Sequence, residues 1–318
     1  TARLQVIHNS ADSLLENVDV WINGDKTINN MKFRDATMYM DIPAEYPLNV
    51  GIADNSSSVV TDTLRNFEFI LDSGKTYILI AQGVVNTSLF APNPDGKNID
   101  ITLLPLPDAR EQSSTAGNVE FMLVHGSTDY ETVDMHVRNG AQIGDNLSYG
   151  DNSAYASLPA ANYILDMKDA AGAGIIASYQ ANLANFADST AVIFSSAHKN
   201  PQSNWNGKPF AWYIAYNSGY VIKLQEAATS RLQVIHNCAD PAADAVDIYV
   251  DGTLTYDDLA FRAATAFADV APGIHQIGIA PKTSASVNDT IKNYTIDFKN
   301  GKTYIAIAMG VITPANFA

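Results

Sequence analysis

The heptapeptide Arg3-Leu4-Gln5-Val6-Ile7-His8-Asn9 returns unchanged as Arg231-Leu232-Gln233-Val234-Ile235-His236-Asn237, 228 residues further on. A looser copy, Val119-Glu120-Phe121-Met122-Leu123-Val124-His125-Gly126, lies between them. Leu4, Val6 and His8 fall on one side of the chain, the period-2 pattern of a strand with a buried face. A seven-residue identity with an intermediate relative marks the first strand of a repeated module, so the chain reads as an array of related domains.

The alternation continues beyond the first copy. Val18, Val20 and Ile22 alternate with Asp19 and Trp21, and Asn23-Gly24 closes that strand as a hairpin signal, because both residues tolerate positive φ. Met38, Met40 and Ile42 follow, then Leu48, Val50 and Ile52, then Phe67, Phe69 and Leu71. Tyr77, Leu79 and Ala81 are flanked by Ile78 and Ile80, and Ile99, Ile101 and Leu103 come last. These are about seven short strands with turns every ~8–12 residues, and no stretch has sustained helical periodicity. The expected architecture is all-β: a tandem array of three immunoglobulin-like antiparallel β-sandwich domains of about seven strands each. The expected boundaries are 1–112, 113–228 and 229–318.

The second copy is the most divergent. It keeps Val133-Asp134-Met135, Asn139-Gly140 and Leu158-Pro159-Ala160, but has an aromatic, polar insertion from His198 to Tyr216 before a closing strand, Tyr220 to Leu224. The third copy follows the first through Val246-Asp247-Ile248, Asp251-Gly252, Phe261-Arg262 and Gly301-Lys302-Thr303-Tyr304. Its counterpart of Ile99 to Leu103 is not in this sequence, so either the parent protein continues or the third sandwich lacks its final strand and leaves one sheet edge open.

These motifs resemble the secreted bacterial and archaeal domains grouped as domain of unknown function 4397. The strand ending in His-Asn, the Ala-Asp turn, the Val-Asp-Val/Ile hairpin and the Gly-Lys-Thr-Tyr strand carry the resemblance, strongly in the first and third copies. It implies an extracytoplasmic β-sandwich, often in tandem, and no particular reaction.

The composition narrows the partners. With 34 acidic and 19 basic residues the net charge is −15, which disfavours nucleic acid and anionic membranes. No apolar run is long enough for a membrane-spanning helix. Residue 1 falls just before a strand, so the chain reads as a mature or trimmed one. The single cysteine, Cys238, replaces Ser10 of the first copy and reads as a small residue.

Candidate chemistry is sparse. No nucleophile elbow, His-Glu-x-x-His, phosphate loop or Cys-x-x-Cys occurs. The repeated polar residues are His8, Asp12 and Asp19; His125, Asp129 and Asp134; His236, Asp240 and Asp247. A ligand or base could be built from them, but three copies of equal status favour a structural role in tying down turns. Asp251 with Asp257-Asp258 reads either as a cation site or as a solvated loop. No metal and no cofactor is expected. Trp205, Phe210, Trp212, Tyr213 and Tyr216 are the ligand-binding candidates, with a core strand as the alternative for Phe210 to Tyr216. The functional expectation is a non-catalytic structural or adhesive protein outside the cytoplasm, with a protein or glycan of the cell surface as partner. Self-association through the open edge of the third copy, giving a homopolymer by strand exchange, is one alternative. A carbohydrate-binding module or a glycan-active enzyme using residues 198–220 is the other.

Overall fold

The computed structural model describes residues 1–170, 174–312 and 314–316, and is built of β-strands joined by turns and single-turn 3-10 helices. The first segment holds β1 (Ala2–Asn9), β2 (Asn17–Ile22), β3 (Asp25–Lys32), β4 (Met40–Ile42), β5 (Pro47–Asp54), β6 (Thr63–Ile70), β7 (Thr76–Gln82) and β8 (Thr102–Leu106). They form two four-stranded sheets, β4-β1-β7-β8 and β3-β2-β5-β6. Leu4, Val6 and Leu79 of one sheet pack against Val18, Val20, Val50 and Ile52 of the other. Fully burying each such side chain stabilises the fold by roughly 1.5–3 kcal/mol.

The second segment holds β9 (Asn118–Val124), β10 (Val133–Val137), β11 (Gln142–Leu147), β12 (Ala156–Pro159), β13 (Asn162–Asp169), β14 (Ile175–Asn182), β15 (Thr190–Ser196), β16 (Ala211–Tyr216), β17 (Val221–Lys223) and β18 (Gln225–Glu226). Its sheets are β12-β9-β15-β16-β17 and β11-β10-β13-β14-β18. The third holds β19 (Ser230–Cys238), β20 (Ala245–Val250), β21 (Thr253–Ala260), β22 (Ala268–Val270), β23 (Gly273–Pro281), β24 (Lys292–Phe298) and β25 (Thr303–Gly310). Its sheets are β22-β19-β25 and β21-β20-β23-β24. Contacts divide the chain into two compact units, residues 1–174 with 179–226, and residues 175–178 with 227–318.

The all-β expectation is met, with three corrections to the strands, one being that the second segment has ten among the described residues where about seven were expected. The sheets are not wholly antiparallel: β1 runs parallel to β7, β9 to β15 and β19 to β25, so the repeated opening strand joins a late strand of its own segment. The first segment also has an eighth strand, β3, and its last strand lies at Thr102–Leu106. Pro105 is tolerated there because β8 is an edge strand with no ladder to lose on its outer side. Ile99 instead packs beside Val84, Phe90 and Tyr149.

Within the first unit the two sandwiches share a core. Ile7, Ile78 and Ile80 point away from their own sandwich and pack against Met122, Val124, Val192 and Phe194. Polar contacts rim the apolar patch: Gln5 Nε2 donates to the Tyr216 carbonyl at 2.9 Å and Asn9 Nδ2 to the Ser195 carbonyl at 2.9 Å. Arg34 stacks on Phe33 and Tyr213, with its Nε donating to Ser196 Oγ at 3.0 Å.

Candidate functional site

The repeated histidines end the opening strands, and all three are buried. His8 Nε2 lies 2.6 Å from the Leu15 carbonyl, His236 Nε2 lies 2.7 Å from that of Ala243, and His125 Nε2 lies 3.2 Å from that of Glu131. A carbonyl only accepts, so Nε2 carries the proton. Nδ1 of His8 and of His236 then accepts from the backbone N–H of Ser10 and Cys238, each at 3.4 Å. Both ring nitrogens thus hold the turn that follows the strand. Burial pushes the His8 imidazole down to about 4, against a smaller upward pull from the Leu15 carbonyl. Burial lowers His125 in the same way.

The aspartates of the turn act as latches. Asp12 accepts from Leu14 N–H at 2.9 Å and from Val85 N–H, just past β7, at 2.8 Å. Asp240 repeats this with Ala242 at 3.0 Å and Ile312 at 2.9 Å. Asp129 does more: it accepts from Lys199 N–H at 2.7 Å, Asn200 N–H at 2.8 Å and Asn204 Nδ2 at 2.7 Å.

The hairpin aspartates clamp a β-bulge. Asp19, Asp134 and Asp247 accept from the backbone N–H of Asn30, Asn146 and Asp258 at 2.8, 2.7 and 2.9 Å. Each of those donors sits at positive φ, where the register of its hairpin shifts. The surroundings then diverge. Burial pushes Asp19 up, but Lys26 Nζ at 2.6 Å, Ser57 Oγ at 2.7 Å and the Asn30 amide outweigh it and hold the carboxyl below its usual range. By register, the position of Lys26 opposite Trp21 is taken by Leu254 opposite Tyr249. Asp247 instead meets Asp257 and Asp258, with carboxylate oxygens of all three within 4.8 Å of one another. Burial and these two neighbours raise Asp257. Asp251 lies outside this cluster, since it accepts from Gln276 N–H at 2.9 Å and pairs with His275 Nδ1 at 2.6 Å. Leu254→Lys is expected to restore the missing ion pair and stabilise the 227–318 unit by about 1 kcal/mol. Calorimetry should show its transition rising by a few degrees; an unchanged or lower midpoint would reject the pairing.

The aromatic stretch separates into two parts. Phe210 to Tyr216 leads into and forms β16, which pairs with β15 as β8 pairs with β7, so it is a regular strand and not an insertion. Trp212 and Tyr216 are completely buried there and offer no surface to a ligand. Tyr213 faces the shared core beneath Arg34, and Phe210 packs on Tyr130 with ring centroids 4.5 Å apart. Trp205 remains exposed, standing edge-on to Phe90 at 6.4 Å. Tyr220, which follows the Asn217-Ser218-Gly219 turn within the 198–220 segment, is also exposed.

The third segment has a groove where β8 would lie. In the first segment, Leu103 of β8 pairs with Ala81 and helps close the core to a residual space of about 10 Å³. In the third, β25 has no partner on its outer edge among the described residues. A groove of about 320 Å³ runs there beside Ile279, Tyr294, Ala308 and Met309. Gly83 fits only glycine, since a Cβ would stand 2.5 Å from the Asp100 carbonyl, whereas its counterpart Gly310 faces open space.

The family model for Domain of unknown function (DUF4397) matches residues 2–136 and 230–317. The chain belongs to this family. Among curated proteins there is no match. Among solved structures, the Bacillus anthracis TIE protein aligns at 10% identity over 96% of this chain and 50% of its own, with a TM-score of 0.21. The major pilin subunit BcpA of Bacillus cereus aligns at 7% identity over 97% and 98%, with a TM-score of 0.21. A streptococcal virulence factor described by its α-glucan binding aligns at 13% identity over 62% and 93%, with a TM-score of 0.19. The chain spans half the length of the TIE protein. At such scores these likenesses carry no argument about function.

Proposed function

We propose that this DUF4397 chain is a non-catalytic, extracytoplasmic structural or adhesive component of a cell surface, built as an array of β-sandwiches. The observation that carries this reading is where the recurrent polar groups are spent. In each copy the histidine and both aspartates bond to backbone groups of their own turn, bulge or late strand. The recurring chemistry of the chain therefore goes into holding loops, and specificity is left to positions where the copies differ. Fractionation of the producing cells with an antibody to this chain tests the location. Recovery in the surface or secreted fraction is expected, and confinement to the cytosol would overturn the proposal.

Trp205 and Tyr220 favour a glycan partner as a second reading, because an exposed aromatic face beside amides suits a sugar ring. A glycan array of the intact chain beside Trp205→Ala and Tyr220→Ala checks it. A hit weakened about tenfold or more by Trp205→Ala is expected from a stacking contact, and equal binding by all three proteins would reject the glycan reading.

A further inference from the structure

The shared core of the first unit joins equivalent positions of two sandwiches. Pairing places Ile78 opposite Gln5 and Ile80 opposite Ile7 in the first. It places Val192 opposite Met122 and Phe194 opposite Val124 in the second. Ile7 thus corresponds to Val124, Ile78 to Val192 and Ile80 to Phe194, and all six lie buried in the same cluster. The interface is homotypic: the sheet carrying the repeated strand meets the same sheet of the other sandwich, outer face to outer face.

Within the third segment, no other described element of that segment packs on this face. Gln233 pairs with Ile305 and Ile235 with Ile307, in the register of the first segment. Ile78 and Ile80 are 2% and 0% exposed, but Ile305 and Ile307 are 55% and 47% exposed. Met309, beside them on β25, is 69% exposed. Arg262 stacks on Phe261 as Arg34 stacks on Phe33, so the cation beside the patch is also kept. The sequence agrees, since Tyr304-Ile305-Ala306-Ile307-Ala308-Met309 is an unbroken apolar run, the mark of a strand covered on both faces. Three large apolar side chains clustered on one outer face of a −15 protein indicate an interaction surface.

We propose that the β22-β19-β25 face is half of a homotypic sheet-on-sheet interface, and that its occupant is the same face of a second copy of this chain. A face that meets its own equivalent is self-complementary, and two copies close the contact as a two-fold dimer without further addition. The choice of a second copy follows from the visible interface, where the partner of this sheet is the same sheet of a related sandwich.

Sedimentation equilibrium of the intact 318-residue chain tests it. A monomer–dimer equilibrium is expected at or below about 100 μM, the range of a modest apolar interface. Ile307→Asp should weaken dimerisation at least about tenfold. Because Ile307 is half exposed in the free chain, this variant keeps its fold, checked by an unchanged circular dichroism spectrum. Ile274→Asp, at a 72% exposed residue of the opposite sheet, should dimerise like the parent chain. A parent chain that stays monomeric at about 100 μM overturns the proposal. So does a dimer that survives Ile307→Asp, or an open-ended series of species, which belongs to strand exchange along the β25 edge.

Discussion

Replacing Asp129 by alanine is expected to destabilise the first unit by about 3–5 kcal/mol, the largest single-residue effect among the repeated polar positions. Asp129 is buried and holds three donors at once: the amides of Lys199 and Asn200 and the side chain of Asn204. Each donor left in the interior without a partner costs about 1–3 kcal/mol. Asn204 is itself completely buried, and its Oδ1 accepts from Ala91 N–H of the first segment at 3.0 Å. The loss therefore reaches both sandwiches of the unit. Asp12 holds one distant amide, so Asp12→Ala is expected to cost less. Urea unfolding followed by tryptophan fluorescence measures the difference, with Trp205 and Trp212 as reporters in the affected unit. A change below about 1 kcal/mol would show that water replaces the carboxylate freely and that the latch has no structural weight.

That ranking was hidden in the sequence, although Asp12, Asp129 and Asp240 were visible as a set. Their turn-capping role follows from residue type and position. Their reach to the end of the late strand depends on the parallel pairing of β1 with β7 and its equivalents, and local periodicity carries no information about which strands pair. The strands with clean alternation, such as β1, β2 and β5, were legible because one face of each is buried in a sandwich core. β3 was not: Asp-Lys-Thr-Ile-Asn-Asn-Met-Lys is polar on both sides, as suits an exposed edge strand interrupted by a bulge. The aromatic stretch was half legible. Alternation along β16 sends Trp212, Ile214 and Tyr216 inward, which composition alone cannot distinguish from a displayed aromatic surface. The continuous apolar run of β7 is the one sequence signal of the sheet-on-sheet contact, because Ile78 and Ile80 on its outer face are covered by the second sandwich.

The second large effect is a loss of stability in mild acid, driven by histidines kept neutral. His8 has a folded value of about 4 against about 6.5 for an exposed imidazole. Its ring is buried against Leu15, and the pulls of the Leu15 carbonyl and the Asp35 carboxylate towards a positive charge are smaller than the cost of burial. Above pH 6.5 neither state takes up the proton and the full contribution of the neutral ring is present. As pH falls from about 6.5 towards 4, the unfolded chain binds a proton that the folded chain refuses, so unfolding gains. The sum for this one residue approaches about 3 kcal/mol. His125 and His198 are lowered by burial as well and add in the same direction. Asp19, Glu120 and Glu131 are held below their usual range and lose their contribution only at still lower pH, through the carboxylate range. The histidines therefore dominate between about pH 6.5 and 4.5. Urea midpoints of the first unit measured through this window should fall steadily. His8→Asn, which replaces the imidazole with a group that does not titrate, should start less stable at pH 7.5 and show a shallower fall. The slope difference approaches about 1.4 kcal/mol per pH unit, the limit for one proton. Equal slopes for parent and variant would mean that His8 is protonated inside the fold, and that its bond to Leu15 belongs to an imidazolium.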